Sequence, residues 1–474
     1  MSGILIRSLM LSLFLLGGYA YAQENRLTAN KPTELADVLL SARQFYPSIL
    51  AARAGIQEQQ ATILAANGAF DPRIDGSVYS RLNGLYDSSH LSAGFYQDLS
   101  FMSGEIFSDY SVSNGSFPVY ENQLVTADAG KARLGIALSL LRDRDIDDQR
   151  FAVKKAEIEA DIAEFEFQSE QISIFQQAYI AYAQWLISAR LLEAYNELLS
   201  VAVVRGEALE RQVEAGDIAE ILLVENQQAI LQREALVVDA KRQVELAAER
   251  LALYFRSEDG LPLFPVYDDG LLVPEQNEAF LSYPVSELVD IALARRPDIA
   301  VARALQEQFE LERRLAENLA KPQLDLRLYS SMDYGNSPVT RVGNDNVIEL
   351  SFSVPLQNRT ANGRRDSANA RLLGLGHDLR LLINEAERDM RSALVNLRAT
   401  TELKQVALAE LDVAQTLANA EARRFEAGSS DYFLLNVRER MLGEAQLRRW
   451  QAELNHQIAL ANYYGVSMDV PDIN

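Results

Sequence analysis

Two hydrophobic rhythms alternate along this chain. Between residues 323 and 330 the period is two: Leu324, Leu326 and Leu328 face one way, Asp325, Arg327 and Tyr329 the other. A returning stretch repeats it, with Ile348, Leu350, Phe352 and Val354 against Glu349, Ser351 and Ser353. Such alternation predicts strands with one apolar and one polar face. Nearer the N-terminus, Ile74 and Val78 are expected to pair with a return of Leu134, Ile136, Leu138 and Leu140, opposed by small Gly135, Ala137 and Ser139. The second rhythm is helical. Residues 143–211 and 357–425 contain no proline and are dominated by good helix formers. A helix of ~69 residues would be roughly 100 Å long. Within the first, Ile172, Phe175, Tyr179, Tyr182, Leu186 and Ala189 recur at spacings of 3 and 4, the pattern of a coiled-coil seam.

Both rhythms occur twice because the chain is duplicated. Residues 47–80 match 297–330 at ten of 34 positions, among them Pro47/Pro297, Arg53/Arg303, Asp75/Asp325 and Tyr79/Tyr329. Average composition would give roughly two. Each copy opens with a helical stretch (48–69, 298–320) entered through a proline, which suits a first helical turn. Each long helical stretch ends in a glycine turn, "RQVEAGDIAEILL" (211–223) or "RFEAGSSDYFLLN" (424–436), and a shorter helix comes after it (217–255, 429–464). The first repeat is thus expected over 23–256, with its hairpin within 73–141, its long helix at 143–211 and its turn at 212–218. A proline-, glycine- and acid-rich connector occupies 257–286. The second repeat spans 287–465, with hairpin 323–355, long helix 357–425 and turn 426–431, before a tail at 466–474. The first copy holds 36 extra residues between its strand-like pieces, where "GFYQDLSFMSGEIFSDYSV" (94–112) alternates around a Ser-Gly pair. They lengthen the hairpin, add a second one, or form a loop.

Composition narrows the function. Residues 1–22 read as a cleaved signal peptide, with Arg7, an apolar core at Leu9–Leu16, and Ala20-Tyr21-Ala22 before the cut. Gln23 comes next, so no lipid-bearing cysteine is expected there. The 474 residues include no cysteine, which excludes disulfides and thiolate chemistry. His90, His377 and His456 have no metal-ligand spacing, and neither cofactor nor catalytic motif is legible. A net charge of −22 argues against nucleic acid as a partner and for a cation-favouring interior if the chain lines a pore. No later segment has the apolar length of a transmembrane helix.

Two hairpins give four amphipathic strands, too few to close a barrel. A membrane demands closure, because every backbone group must be paired. Three chains contributing four strands each would give twelve, apolar side outward.

Here the sequence resembles the TolC-like outer-membrane efflux proteins. The match rests on "RRPDIAVAR" (295–303), "LSFSVPL" (350–356) leading into "NGRRDSANA" (362–370), and the doubled "EAG" turns, and it covers about 34–464 in the family's order. The resemblance implies a mainly α fold with a transmembrane β-barrel: a homotrimeric twelve-stranded barrel in outer-membrane lipid, on an α-helical coiled-coil tunnel in the periplasm. It implies passive export, with a periplasmic adaptor and an inner-membrane transporter as partners. It places the glycine turns at the periplasmic entrance, so Ala215, Gly216, Asp217, Ala219, Ala427, Gly428, Ser429 and Asp431 become expected docking residues. Six positions past each glycine, where such proteins often carry a ring of acids, this chain has Leu222 and Leu434. An apolar seal at these leucines is expected, since apolar constrictions close pores by dewetting. Glu220 is a nearby acid at the same mouth. The competing readings are a periplasmic coiled-coil adaptor or scaffold that never enters the membrane, and a secreted enzyme. The first should carry one helical hairpin, not two, and the second a clustered polar site.

Overall fold

The computed structural model describes residues 27–274, 278–336 and 343–469. The expected signal peptide lies outside them, as does most of the expected tail. The chain divides into two units, one holding residues up to Arg53, Phe167–Pro297 and Leu382 onward, the other Ala54–Glu166 and Asp298–Leu381.

The duplication is visible in the order of elements. Helix α1 (Leu35–Phe45) stops at Tyr46, and α2 (Pro47–Asn67) begins one residue later. Likewise α5 (Val285–Arg295) stops at Arg296 and α6 (Pro297–Leu319) begins. In both copies the residue before proline is extended, with ψ of 130° at Tyr46 and 117° at Arg296, because the proline ring excludes the helical region there. The long helices are α3 (Asp148–Glu214, 67 residues) and α7 (Arg359–Glu426, 68 residues). Helix α3 starts five residues later than its composition suggests. The Asp147 carboxylate accepts the Arg150 N–H at 2.8 Å, a cap that sets the first turn, while Asp143 sits at φ 66° with its N–H on the Asn318 side chain.

In the first unit, the C-terminal parts of α3 and α7 are joined by α4 (Ile221–Ala252) and α8 (Tyr432–Ser467). The coiled-coil seam is buried as its spacing demands: Phe175, Tyr179, Tyr182, Leu186 and Ala189 all lie in the core, beside Trp185, Leu251, Leu394 and Leu460. The Tyr179 hydroxyl donates to Gln457 at 2.7 Å, and Gln176 donates to Asn462 at 2.8 Å, so α3 of the first copy is tied to α8 of the second. Burial pushes the Tyr182 phenol up, as its charged form would be poorly solvated here. Part of the connector runs beside the N-terminal segment, where Phe264 exchanges backbone hydrogen bonds with Leu27 and Ala29 at 2.7 and 2.9 Å, and Phe280, in a short 3-10 helix (Glu278–Ser282), stacks on Tyr463 with centroids 4.2 Å apart.

The second unit carries one antiparallel sheet of β1 (Arg73–Ser80), β2 (Ser88–Asp98), β3 (Gly104–Gly115), β4 (Lys131–Ser139), β5 (Gln323–Asp333) and β6 (Gly343–Ser353), in sequence order. This corrects the expected first hairpin. Ile74 and Val78 pair with Phe95 and Leu91 of β2, not with the 134–140 return, whose neighbours are β3 and β5. The extra residues add a second hairpin, so the chain supplies six strands in place of the four expected. Serines, glycines and two tyrosines dilute the alternation in 88–115, which hides these two strands in the sequence.

Register explains the sheet's two faces. Each outward residue pairs with an outward residue, so one face gathers Ile74, Val78, Leu91, Phe95, Ile106, Val112, Leu134, Ile136, Leu326, Leu328, Ile348, Leu350 and Phe352. Ile348 and Phe352 are 76% and 67% exposed, a state large apolar side chains do not tolerate across a whole sheet face in water. The opposite face is ionic: Arg73 bonds Asp98 at 2.7 Å and Glu105 at 2.5 Å, and Arg133 bonds Asp109 at 2.9 Å. No helix among the described residues is long and apolar enough to cross a membrane.

Candidate functional site: the glycine turns and the ion cluster behind them

The two glycine turns, both in the first unit, share one backbone design. At the first, the Gly216 N–H donates to Val213 O and the Asp217 N–H to Gln212 O, each at 2.9 Å. At the second, Gly428 donates to Phe425 O at 2.9 Å and Ser429 to Arg424 O at 2.8 Å. This is the paired closure of a helix end around a left-handed residue. Gly216 has φ 77° and Gly428 φ 69°, and a Cβ at either would meet nothing within 4 Å. Glycine is therefore required for backbone conformation and not for space.

Past the glycines the two copies differ. Asp431 caps α8, its carboxylate accepting the Leu434 N–H at 2.7 Å. Its counterpart Ala219 cannot cap, and α4 begins after Glu220 without a side-chain cap. Ala215, Asp217, Ala219 and Glu220 are exposed, as are Ala427 and Ser429, whereas Leu222 and Leu434 are half-buried at the first turns of α4 and α8. The structure thus brings the expected docking residues of each copy together at one loop surface. Ile221 and Phe433, one residue before each leucine, are 59% and 73% exposed, and sequence reasoning did not single them out.

Behind the turns lies a cluster that sequence reasoning missed. The Glu439 carboxylate on α8 accepts from Arg205 on α3, with one bond at 2.7 Å and a second, shorter one, and from Arg233 on α4 at 2.9 Å. All three side chains are largely buried, between 8% and 13% exposed. Arg233 also donates to Leu198 O at 2.8 Å. Nearer the loops, the Tyr432 hydroxyl donates to Asn226 at 3.0 Å, and Asn226 donates to Ala202 O at 3.2 Å. Burial alone would push the Glu439 carboxyl up. The hydrogen bonds and charges of Arg205, then Arg233, outweigh it and hold the group below its ordinary value. Burial likewise raises the Tyr432 phenol, so it stays a donor. Three charges on three helices thus tie the two copies together.

One signal could have found this cluster. At the offset of 212 that aligns the glycines, Arg205, Arg233 and Glu439 fall opposite Leu417, Ala445 and Gln227. Each charge is unique to one copy, as expected where the copies meet each other and not solvent. Among the described residues no group of His, Asp and Glu is arranged to hold a metal.

Known proteins share this fold. Solved structures with the same fold include the outer-membrane channel OprN, 16% identical with a TM-score of 0.63, covering 94% of this chain and 95% of that one. The CmeC outer membrane channel of Campylobacter jejuni is 13% identical with a TM-score of 0.62 over 94% of this chain and 90% of that one. The open-state MtrE outer membrane channel of Neisseria gonorrhoeae is 15% identical with a TM-score of 0.64 over 91% and 88%. No curated protein sequence matches the chain. The model of the outer membrane efflux protein family matches residues 38–255 and 288–466, which takes in both copies, both turns and all six strands, and favours a channel over a soluble adaptor. By that match, the chain belongs to the outer membrane efflux protein family.

Proposed function

We propose that this chain is the exit duct of a tripartite efflux or type I secretion system. Three copies assemble around one axis, their sheets forming a barrel in the outer membrane and their helices a periplasmic conduit. Substrate passes passively, driven by an inner-membrane transporter that reaches the duct through a periplasmic adaptor. The observation that carries this reading is the sheet's broad, exposed apolar face, from Ile74 on β1 to Phe352 on β6, opposed by a charged face. In water that face would be a severe liability, whereas lipid outside and solute inside satisfy both.

In this reading the loop surfaces around Gly216 and Gly428 receive the adaptor, with Asp217 and Ser429 as exposed polar contacts. Leu222 and Leu434 form an apolar seal behind them, and the Arg205–Glu439–Arg233 clasp holds it shut. Residues 1–22 direct export and are removed, leaving an N-terminus without lipid.

Fractionation and crosslinking test the proposal. The protein should sediment with outer membranes as a trimer. A photocrosslinker at Asp217 or Asp431 should capture an adaptor, while one at Glu249 on α4 should not. A soluble monomer would refute the duct, and equal capture from all three positions would refute the docking surface.

A further inference from the structure

The hairpin of β2 and β3 is an insertion into one copy of a duplicated chain, and β5 and β6 run without such an insertion in the other. Three features say how it is used. The first is length: β2 has 11 residues and β3 has 12, against 11 each for β5 and β6, and a membrane-crossing strand needs about 9–11. The second is connection length. The β2–β3 turn, 99–103, is short and lies at the sheet end where the helices attach, the Ser139 N–H donating to Ser103 O at 3.2 Å. Connections at the other end are longer, 81–87 and 116–130. Outer-membrane barrels show this asymmetry, with short turns inside and long loops outside. At the short turn Phe101 is 76% exposed, as an aromatic anchor at a lipid–water boundary would be.

The third feature is the charge on the face opposite the apolar one. The insertion brings Asp98, Glu105 and Asp109 inward, and the flanking strands answer each of them. Arg73 of β1 bridges to Asp98 and Glu105, and Arg133 of β4 holds Asp109. On the other face Leu91, Phe95, Ile106 and Val112 carry the apolar surface across from Val78 to Leu134, with Ser108 the small polar residue between Phe95 and Leu134. A hairpin folded over the loops or hanging into the pore would need neither parity nor partners of this kind.

We infer that the inserted hairpin is part of the membrane wall, so that three chains close an eighteen-stranded barrel. The inference rests on the export-duct reading. The partner at each open edge is a second copy of this chain. Among the described residues β1 pairs only with β2 and β6 only with β5, leaving one edge of each free within one chain. Pairing β6 of one copy with β1 of the next keeps the faces aligned only in registers that place even-numbered residues opposite one another, because a one-residue slip turns every side chain over. Ile74 and Val78, 80% and 78% exposed in the single chain, then meet Ile348, Leu350 or Phe352 of the neighbouring copy. Barrel diameter grows roughly linearly with strand number, so the outer exit would be about half as wide again as one of twelve strands. Barrels of 16–18 strands leave an open aqueous channel, which moves any size selection away from the wall and toward the glycine turns.

Electron cryomicroscopy of the full-length trimer in lipid nanodiscs tests this directly. Eighteen wall strands, six per chain, are expected. A trimeric channel with twelve wall strands and residues 88–115 outside the wall would overturn the inference and leave the duct intact, whereas a soluble monomer would defeat both. An independent readout uses the absence of cysteine. Single variants Leu91→Cys, Ser92→Cys and Ala93→Cys in native outer membranes are exposed to a membrane-impermeant maleimide. Ser92→Cys, on the charged face, should react several-fold faster than its two neighbours. Equal rates at all three positions would contradict a wall strand.

Discussion

Arg205 on the first copy's long helix and Glu439 on the second copy's last helix lie 234 residues apart in sequence and share a buried, doubly bonded ion pair. The ends of the two helical hairpins are thereby held by charge as well as by apolar packing. Such a pair adds little against a well-packed apolar alternative, but it is costly to break from one side.

Glu439→Ala should destabilise the packed helix ends by about 3–5 kcal/mol, because Arg205 and Arg233 would remain buried without a counter-charge. Amide exchange in α4 and in the first turns of α8 should accelerate, and exchange around Trp185 should not. Unchanged exchange near the turns would show that the cluster bears no load.

The same carboxylate makes this region acid-sensitive. Its folded pKa lies below the ordinary value of 4.5, so the stabilisation it gives is complete above 4.5 and is lost as pH falls through the folded value. Thermal unfolding should show a loss below about pH 4.5 that is absent in Glu439→Gln, which has no carboxyl to protonate. An identical acid profile in the variant would assign the loss to other groups.

At the turns, backbone demand and docking can be separated. Gly428→Ala should cost roughly 1–2 kcal/mol, from forcing a Cβ into the left-handed region, and Gly428→Asn less. Asp431→Ala should cost about 1 kcal/mol through the lost cap, and Asp431→Asn, which still caps, should restore it. If Asp431→Asn recovers stability but adaptor capture stays low, the charge serves docking. If both recover together, Asp431 is a cap alone.

On the lipid face, Leu350→Arg near the middle of β6 should destabilise the assembled barrel by about 2–4 kcal/mol, while Ser351→Arg, one residue on and facing inward, should not. Heat-modified gel mobility of the trimer reads the difference. Equal effects at both positions would contradict the assigned faces.

Much of the fold is legible in the sequence because repetition multiplies weak signals. Pro47 and Pro297 start equivalent helices, Gly216 and Gly428 close equivalent turns, and β5 and β6 alternate clearly over Leu324–Leu328 and Ile348–Phe352. Strand pairing in the first copy is not legible. Residues 88–115 carry Ser89, Ala93, Ser108 and Asn114 at outward positions, so the period-two contrast fades and Leu134 offers the next strong signal. The boundary of α3 is obscured because Asp147, a cap, lies in a run of charged residues that reads as helix. The clasp is hidden for a different reason. Arg205 and Glu439 are ordinary letters on amphipathic helices, and only tertiary packing buries them.

Single-channel recording of the purified trimer in planar bilayers probes the three-chain duct and its leucine seal together. Discrete openings from a small closed-state conductance are expected, with a clear rise in that conductance for the double variant Leu222→Ser with Leu434→Ser. A correctly folded trimer that conducts nothing, with or without the two substitutions, would contradict the duct.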